Sequence, residues 1–578
     1  MLVPLATPVI HLRAFLSPDN AFGFGPLDFF ELTAAAVLGA ITLKPTPAYA
    51  WFRALAGRTK TCMLLLALLP IVLRLALLVR CPVPTPSGAD DFSYLLLADT
   101  LRHFRLANPP HILPQFFEQV FVLQEPAYSS IFPLGQGLAL AAGWLLFGHP
   151  WAGVLLSGGL FCSLCYWMLC SWTTPGWALL GGILAVIQFG PLNYWMNCYW
   201  GGAVSAIAGC LVFGALPRIT KHWRMQDAFF LGLGLGVQSL TRPFEFVLTL
   251  FCSSLFFIPA LRNLNWRVLA VALTSLIPAG ALILWHNQRV TENWMTSPYA
   301  LYRYQYGVPT TFTFQPNPIP HRELNEEEDL DYRAQCAIHG PRTDTLRAYL
   351  SRLLYRARFI RFFFVAPLYL ALLAFVITAR EYRFVWSIAT LLIFALGTNF
   401  YPYFYPHYVA AIGCLCVLAS VCGLERLSRL RLARNGPARS FAAAVVFVCI
   451  AQFIFWYGVH AASNPHTLER IGRFETWNFI NYGDSEGRMF VDAELAHATG
   501  QQLVFVRYAP WHAFHEWVHN DADIDHARVV WARDLGAAEN EKLRVYYPQR
   551  RAWLLEPDKR PPKLSPYLPE APRFEEVR

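Results

Sequence analysis

The stretch SGADDFSYLLLADTLRHFRLANPP, residues 87–110, sets two adjacent carboxylates, Asp90 and Asp91, between strongly apolar blocks. Ionisable groups so close to a membrane are costly unless they have a partner or a role. Two neighbouring acids raise each other's pKa, which suits a general base, and a carboxylate pair can also hold a divalent cation. The structural alternative is helix capping, in which Ser87 or an aspartate satisfies the free N–H groups ahead of FSYLLLADTL. One acid can cap while its neighbour works. The expected assignment is Asp91 as base, with Asp90 supporting it or a metal. Phe92, Leu95 and Leu96 recur at helical spacing and give that segment a face that can rest on a bilayer.

Four other stretches carry candidate chemistry. SLTRPFE places Arg242 and Glu245 between two apolar blocks, where the arginine either pairs with the glutamate or binds a phosphate through its planar fork. FYPYFYPHYVAA sets His407 among tyrosines, as a structural residue or as a phosphate or metal ligand. NYWMNCYWGGAVSA brings Tyr194, Trp195, Tyr199 and Trp200 beside Asn193 and Asn197, suited either to an interfacial aromatic belt or to stacking on a sugar or prenyl chain. HEWVHNDADIDHA, near the end of the chain, spaces His515, Glu516, His519, Asp521, Asp523 and Asp525 so that a metal site competes with a solvated acidic loop.

What must position these residues is a membrane scaffold. Of 578 residues, 55% are hydrophobic and 15% charged, well below the quarter or so typical of soluble domains. The apolar residues gather in blocks near the roughly 20 residues that cross a bilayer. They fall at about 27–43, 61–80, 132–148, 151–171, 176–190, 197–216, 228–241, 244–260, 267–286, 359–378, 384–400, 403–423 and 440–458. The formal charge of +9 sits largely in short basic linkers, the mark of cytoplasmic loops, and gives no ground for a nucleic-acid partner. Loops 45–60 and 424–439 are then cytoplasmic, and loops 81–131 and 287–357 and the tail are external. Both ends come out external, so one block between 132 and 190 should fail to span, or two should be short and re-entrant. The cysteines lie mostly within apolar blocks and show no zinc spacing. The organisation expected is an N-terminal segment 1–26, a transmembrane domain 27–458 of about 12–13 helices, and an external α/β domain 459–578. In that last domain QLVFVRYAPW and RVVWARD should be strands of one sheet.

The acid pair in the first external loop, the Pro-aromatic approach to PLGQGLALAAGWLLFG, the many apolar blocks and the C-terminal domain together resemble the GT-C superfamily of membrane glycosyltransferases, which includes protein O-mannosyltransferase and aminoarabinose transferase relatives. The runs DDFSYLLLADT, YWGGAVSA and LVFVRYAPWH resemble a bacterial branch with a fused C-terminal domain. The resemblance covers about 60–460. It implies an enzyme of the bacterial inner membrane that moves a sugar from a polyprenyl phosphate to a glycan, lipid or protein acceptor on the periplasmic face, by inverting displacement. It carries the base or metal-ligand role onto Asp90 or Asp91, with Mg or Mn as the cation. Arg242 and His407 would then neutralise the departing lipid phosphate, with Glu245, Tyr194, Trp195, Tyr199 and Trp200 around the donor. A transporter or flippase for a lipid-linked substrate, and a non-catalytic envelope assembly protein, are the competing readings. A transporter should carry its ionisable groups near the middle of its helices.

Overall fold

In a computed structural model, residues 15, 20, 22–41, 48–263, 265–340, 344–429, 439–462, 473–480, 486–512 and 514–568 are described. Most of segment 1–26 and the centre of linker 424–439 lie outside them. The chain is a helical multi-pass membrane protein with a small C-terminal sheet. Each of the thirteen apolar blocks contributes helix. By length and composition, six of the described helices can cross a membrane, or seven if the bent pair Leu346–Phe363 and Leu368–Thr378 is one span. Four more apolar helices, Leu134–Phe147, Pro175–Phe189, Pro243–Phe256 and Tyr382–Thr398, are shorter. At 1.5 Å per residue, 14–17 residues reach about 21–26 Å, short of the roughly 30 Å hydrocarbon core. Counting apolar blocks, as in the expectation of about 12–13 helices, does not register where a cap or a proline ends a helix.

Small residues let the helices approach closely. A Cβ on Gly209 would sit 1.8 Å from the Ala411 carbonyl oxygen, where helix Ala203–His222 crosses the turn Pro406–Ile412. Gly143 and Gly153 do the same for Leu134–Phe147 against Pro150–Leu169. None of the thirteen cysteines is in a disulfide, so Cys81 and Cys336 are not bridged.

The C-terminal sheet has the order Val529–Arg533, Gln502–Val506, Arg551–Glu556, Lys563–Pro566, parallel except for the last pair. Both expected strands are present, side by side. Gln502–Val506 is central and buried along its whole length, which is why it reads as a continuous apolar run. Successive side chains face opposite ways. Val504 and Val506 pack among Trp517, Trp531 and Trp553, whereas Leu503 and Phe505 share a core with Leu96, Phe116 and Tyr128 of the first polar loop. One face of the sheet is therefore laid on the segment that carries Asp90.

A buried charge network locks the same parts together. The Arg533 guanidinium donates to Glu327 at 2.7 Å, and Arg322 pairs with Glu118. Tyr306 donates to the second Glu118 oxygen at 2.7 Å. Glu516 accepts from the Val120 N–H at 3.2 Å and from the Tyr508 hydroxyl at 2.6 Å. Carboxylates outnumber guanidiniums here, since Glu328 is buried beside Glu118 as well. Burial, then the Glu327 charge, pushes Glu516 above the ordinary carboxylate range, and burial, then Glu118, does the same to Glu328. A carboxyl raised in this way is protonated in the fold and ionised in the unfolded chain. Its contribution is fully present below the unfolded pKa and is lost as pH rises through the folded one. We expect limited proteolysis to release the C-terminal domain faster as pH is raised from about 5 to above neutral. Protection that is flat or grows over that range contradicts this account.

Candidate active site

The acids open a helix, Ala89–Arg102, whose N-cap is Gly88 and has no side-chain cap. Asp91, at the third position of the first turn, reaches back past the N-cap to accept from the Ser87 N–H at 3.4 Å. Its other oxygen accepts from the Tyr199 N–H at 3.2 Å. Asp91 is 4% exposed and so is sealed in. Asp90 is half-buried and accepts no hydrogen bond from the described residues. Burial, then the Asp91 charge, pushes the Asp90 carboxyl up to about 7, and the Arg242 guanidinium holds it down. Burial raises Asp91 to about 6 against the backbone N–H groups that bind it. Mutual repulsion was the expected cause, but for both acids loss of solvent is the larger one.

The support behind the acids was not foreseen. Arg74 is fully buried within the Thr59–Val79 span. Its Nε donates to Asn197 Oδ1 at 2.6 Å, and its terminal nitrogens donate to the carbonyls of Cys81 and Pro82 at 3.0 and 2.9 Å. The Asn197 amide nitrogen donates to the Asn193 and Pro191 carbonyls, which curls 191–197 into a tight turn. Tyr199 then binds the Pro84 carbonyl through its hydroxyl, at 2.9 Å. One arginine thus pins both the irregular segment that leads into Asp90 and the loop that holds Asp91. An arginine inside an apolar block was the available signal.

The aromatic stretch 193–200 divides by role. Trp195 is wholly buried among Phe161, Phe189 and Phe362, and its indole abuts Gly202, where a Cβ would come within 2.4 Å of the ring. Gly201 turns the chain there at φ +46°. Tyr194 is committed to His407, 3.1 Å from hydroxyl to Nδ1, and also accepts from the His407 N–H. Trp200 alone of the four keeps accessible surface, with its ring edge-on to Tyr405 and His407.

Arg242 is the extended residue between helices Met225–Thr241 and Pro243–Phe256. Its guanidinium lies 4.7 Å from the Tyr408 ring centroid and, among the described residues, forms no ion pair or side-chain hydrogen bond. Glu245 is 1% exposed, three residues on, and accepts from the Tyr401 hydroxyl at 3.4 Å. Asp90, Arg242, Tyr299, Tyr403 and Tyr405 lie within electrostatic reach of one another, Trp200 packs on Tyr405, and each keeps accessible surface; this partly exposed cluster is called the Asp90 recess below. Asp331, buried on helix Glu326–His339, raises Asp90 further through its charge. Burial pushes Asp331 itself up to about 6, against a hydrogen bond from Gln335. Nothing in the sequence separates Asp331 from the other acids of that run.

Among the described residues no three His, Cys, Asp or Glu side chains gather as metal donors. In the pair itself each Asp91 oxygen already accepts a backbone N–H, which leaves it fewer lone pairs for a cation than Asp90 has. The HEWVHNDADIDHA segment does not converge either. Glu516 joins the buried charge network, His519 stacks on Phe92 and Trp531, Asp523 pairs with His526, and Asp525 binds Tyr547.

No family model matches the chain, and no curated protein matches it. Among solved structures it is similar to ArnT from Cupriavidus metallidurans in the apo state, with TM-score 0.47 and 11% identity over 85% of this chain and 92% of that one. The same protein bound to undecaprenyl phosphate gives TM-score 0.46 and 12% identity over the same shares. The archaeal oligosaccharyltransferase AglB from Archaeoglobus fulgidus, in complex with an inhibitory peptide and a dolichol-phosphate, gives TM-score 0.37 and 12% identity over 86% of this chain and 69% of that one.

Proposed function

We propose that the chain is a membrane glycosyltransferase that moves a sugar from a polyprenyl-phosphate donor to a hydroxyl acceptor in the Asp90 recess, on the external face. The observation that carries this is the pairing of one carboxylate and one guanidinium, both without hydrogen-bond partners among the described residues, in a tyrosine-lined recess at the head of apolar helices. The roles of the two acids are exchanged relative to the sequence expectation. Asp90 is the base, and Asp91 fixes the turn that aims it. The acceptor oxygen attacks the anomeric carbon from the side opposite the phosphate. A new C–O bond forms, the bond to the phosphate oxygen breaks with its electron pair leaving on that oxygen, and the acceptor proton passes to Asp90. Arg242 meets the negative charge growing on the leaving group, where a preorganised cation lowers the barrier most. Trp200 and the tyrosines offer ring faces to the sugar. His407 supports the wall through Tyr194 and does not touch the phosphate. No step is assigned to a divalent cation.

The lipid-phosphate half is tested by binding. Arg242→Ala should weaken undecaprenyl phosphate binding by at least about tenfold, the worth of one charge-assisted hydrogen bond. Arg242→Lys keeps the charge but not the fork and should fall between. Wild-type affinity in Arg242→Ala, with folding intact, removes the lipid-phosphate reading.

A further inference from the structure

Helix Leu346–Arg356 has no buried side chain, yet one of its faces is bonded to the turn that leads to Tyr403 and Tyr405. Tyr349 donates to the Leu396 carbonyl at 2.8 Å, and Arg352 Nε to the Asn399 carbonyl at 3.2 Å. Arg356 donates to the carbonyls of Thr398 and Tyr401. The opposite side of the helix is open. Leu346, Leu350 and Leu354 recur every four residues and are 75%, 50% and 54% exposed, so they form one apolar stripe. Arg347 and Arg358 stand about three turns apart along one edge of it. Among the described residues neither forms an ion pair or a hydrogen bond. The Arg358 guanidinium only lies over the Tyr355 ring, 3.9 Å from its centroid, and its Nε is buried without a partner. From 344 to 363 the chain carries five arginines against one acid, Asp344, which is already paired with Arg352.

A bend sets the direction of this helix. It continues to Phe363, and the chain then turns through 112° into Leu368–Thr378. Leu368–Thr378 packs on the spanning segment Pro406–Arg429, where a Cβ on Gly423 would come within 1.9 Å of the Ala371 carbonyl oxygen. A helix that leaves a bundle of spans at so wide an angle runs close to the membrane plane. The hydrocarbon core would strand its arginines. Water would strand three leucines in one stripe, and contiguous apolar surface of that kind marks an interaction site. The headgroup layer accepts both, with the leucines toward the acyl chains and the guanidiniums among phosphates.

We infer that Leu346–Arg356 lies in the headgroup layer and binds anionic phospholipid of the phosphatidylglycerol class through Arg347 and Arg358. The lipid surface thereby braces the turn at 398–401, beside the recess. The inference needs only the membrane body and does not rest on the proposed reaction. Hydrogen–deuterium exchange of the full chain is followed over residues 344–358 in two kinds of nanodisc. One is phosphatidylcholine alone, and the other is an equal mixture with phosphatidylglycerol. The chains compared are the wild type, Arg347→Gln/Arg358→Gln, Arg347→Lys/Arg358→Lys and Leu350→Ser.

In the wild type, the amides of Leu346–Arg356 should exchange about fivefold or more slowly in the mixed discs, the worth of one arginine at an anionic surface. Added salt should shrink that difference. The glutamine pair should abolish it and leave exchange in phosphatidylcholine unchanged, since neither guanidinium bonds to the fold. The lysine pair keeps both charges and should keep the difference. Leu350→Ser should quicken exchange in both lipids, because it loosens only the apolar contact. A wild type indifferent to phosphatidylglycerol, or a glutamine pair that still responds to it, overturns the headgroup site. Wild-type exchange in Leu350→Ser takes the stripe out of the bilayer. Protection that ignores the lipid and appears only in discs holding two chains makes the leucine stripe an interface between copies, and the inference falls.

Discussion

Asp90→Asn should lower sugar transfer by about 100- to 10,000-fold, the range for loss of a general base, while lipid-phosphate binding and thermal stability stay near wild type. The replacement is almost isosteric, and no hydrogen bond from the described residues is lost because the carboxylate receives none. Asp91→Asn should behave differently. It keeps one acceptor oxygen for two backbone donors, so it should melt earlier and retain measurable transfer. The pH profiles separate the acids further. With the Asp90 carboxyl at about 7, the wild-type rate should climb through neutral pH and level off above it. Removing the Asp91 charge removes a cause that raises Asp90, so the midpoint in Asp91→Asn should move to lower pH. A merely structural Asp90 would leave no such midpoint to move. Near-normal transfer by Asp90→Asn ends the mechanism, and transfer abolished by Asp91→Asn in a protein that is folded and binds lipid phosphate restores Asp91 as base.

The second large effect belongs to Arg74. Arg74→Met keeps the volume of the side chain and strips partners from Asn197 Oδ1 and from the Cys81 and Pro82 carbonyls at once. Each buried acceptor left without a donor costs about 1–3 kcal/mol, so a loss of about 3 kcal/mol or more is expected. Activity should fall with it, because the turn that presents the Tyr199 N–H to Asp91 is built on Asn197. Thermal melting of the purified protein checks the first part, and transfer at a temperature where the variant is folded checks the second. A variant that melts with the wild type would mean that water or a neighbouring side chain takes over those acceptors.

Much of the scaffold was legible in the sequence because its causes are local. An apolar block becomes a helix wherever it lies, and QLVFV and VVWAR could be read as strands from burial on both faces. Which helices are long enough to span was not legible, since length is set by glycine turns such as Gly148, at φ +76°, and by prolines that open the next helix. At the site, the acid pair, Arg242 and the tyrosine run announced themselves by polar chemistry in apolar surroundings. Their roles did not, because a role depends on which hydrogen bonds are already spoken for. Asp90 and Asp91 look interchangeable in sequence and differ only in that two backbone N–H groups close on one of them. Asp331 belongs to the second polar loop, whose charges resemble a solvated surface until the fold buries it within electrostatic reach of Asp90.

The C-terminal sheet also bears on when the protein can become active. The Ala89 N–H donates to the Phe514 carbonyl at 3.1 Å, and Asp99 accepts from the Ala522 N–H at 2.6 Å, so both ends of the Asp90 helix are tied to the last part of the chain. A ribosome will have made every apolar helix before those two ties can exist. Until then the described apolar helices can be in place while the Asp90 helix lacks both ties, and under the proposed function the site closes only when the sheet folds onto the first loop. A chain cut after residue 462 should insert and hold lipid yet transfer nothing. Under the proposed function, docking of the sheet onto the first loop sets the moment at which transfer can begin.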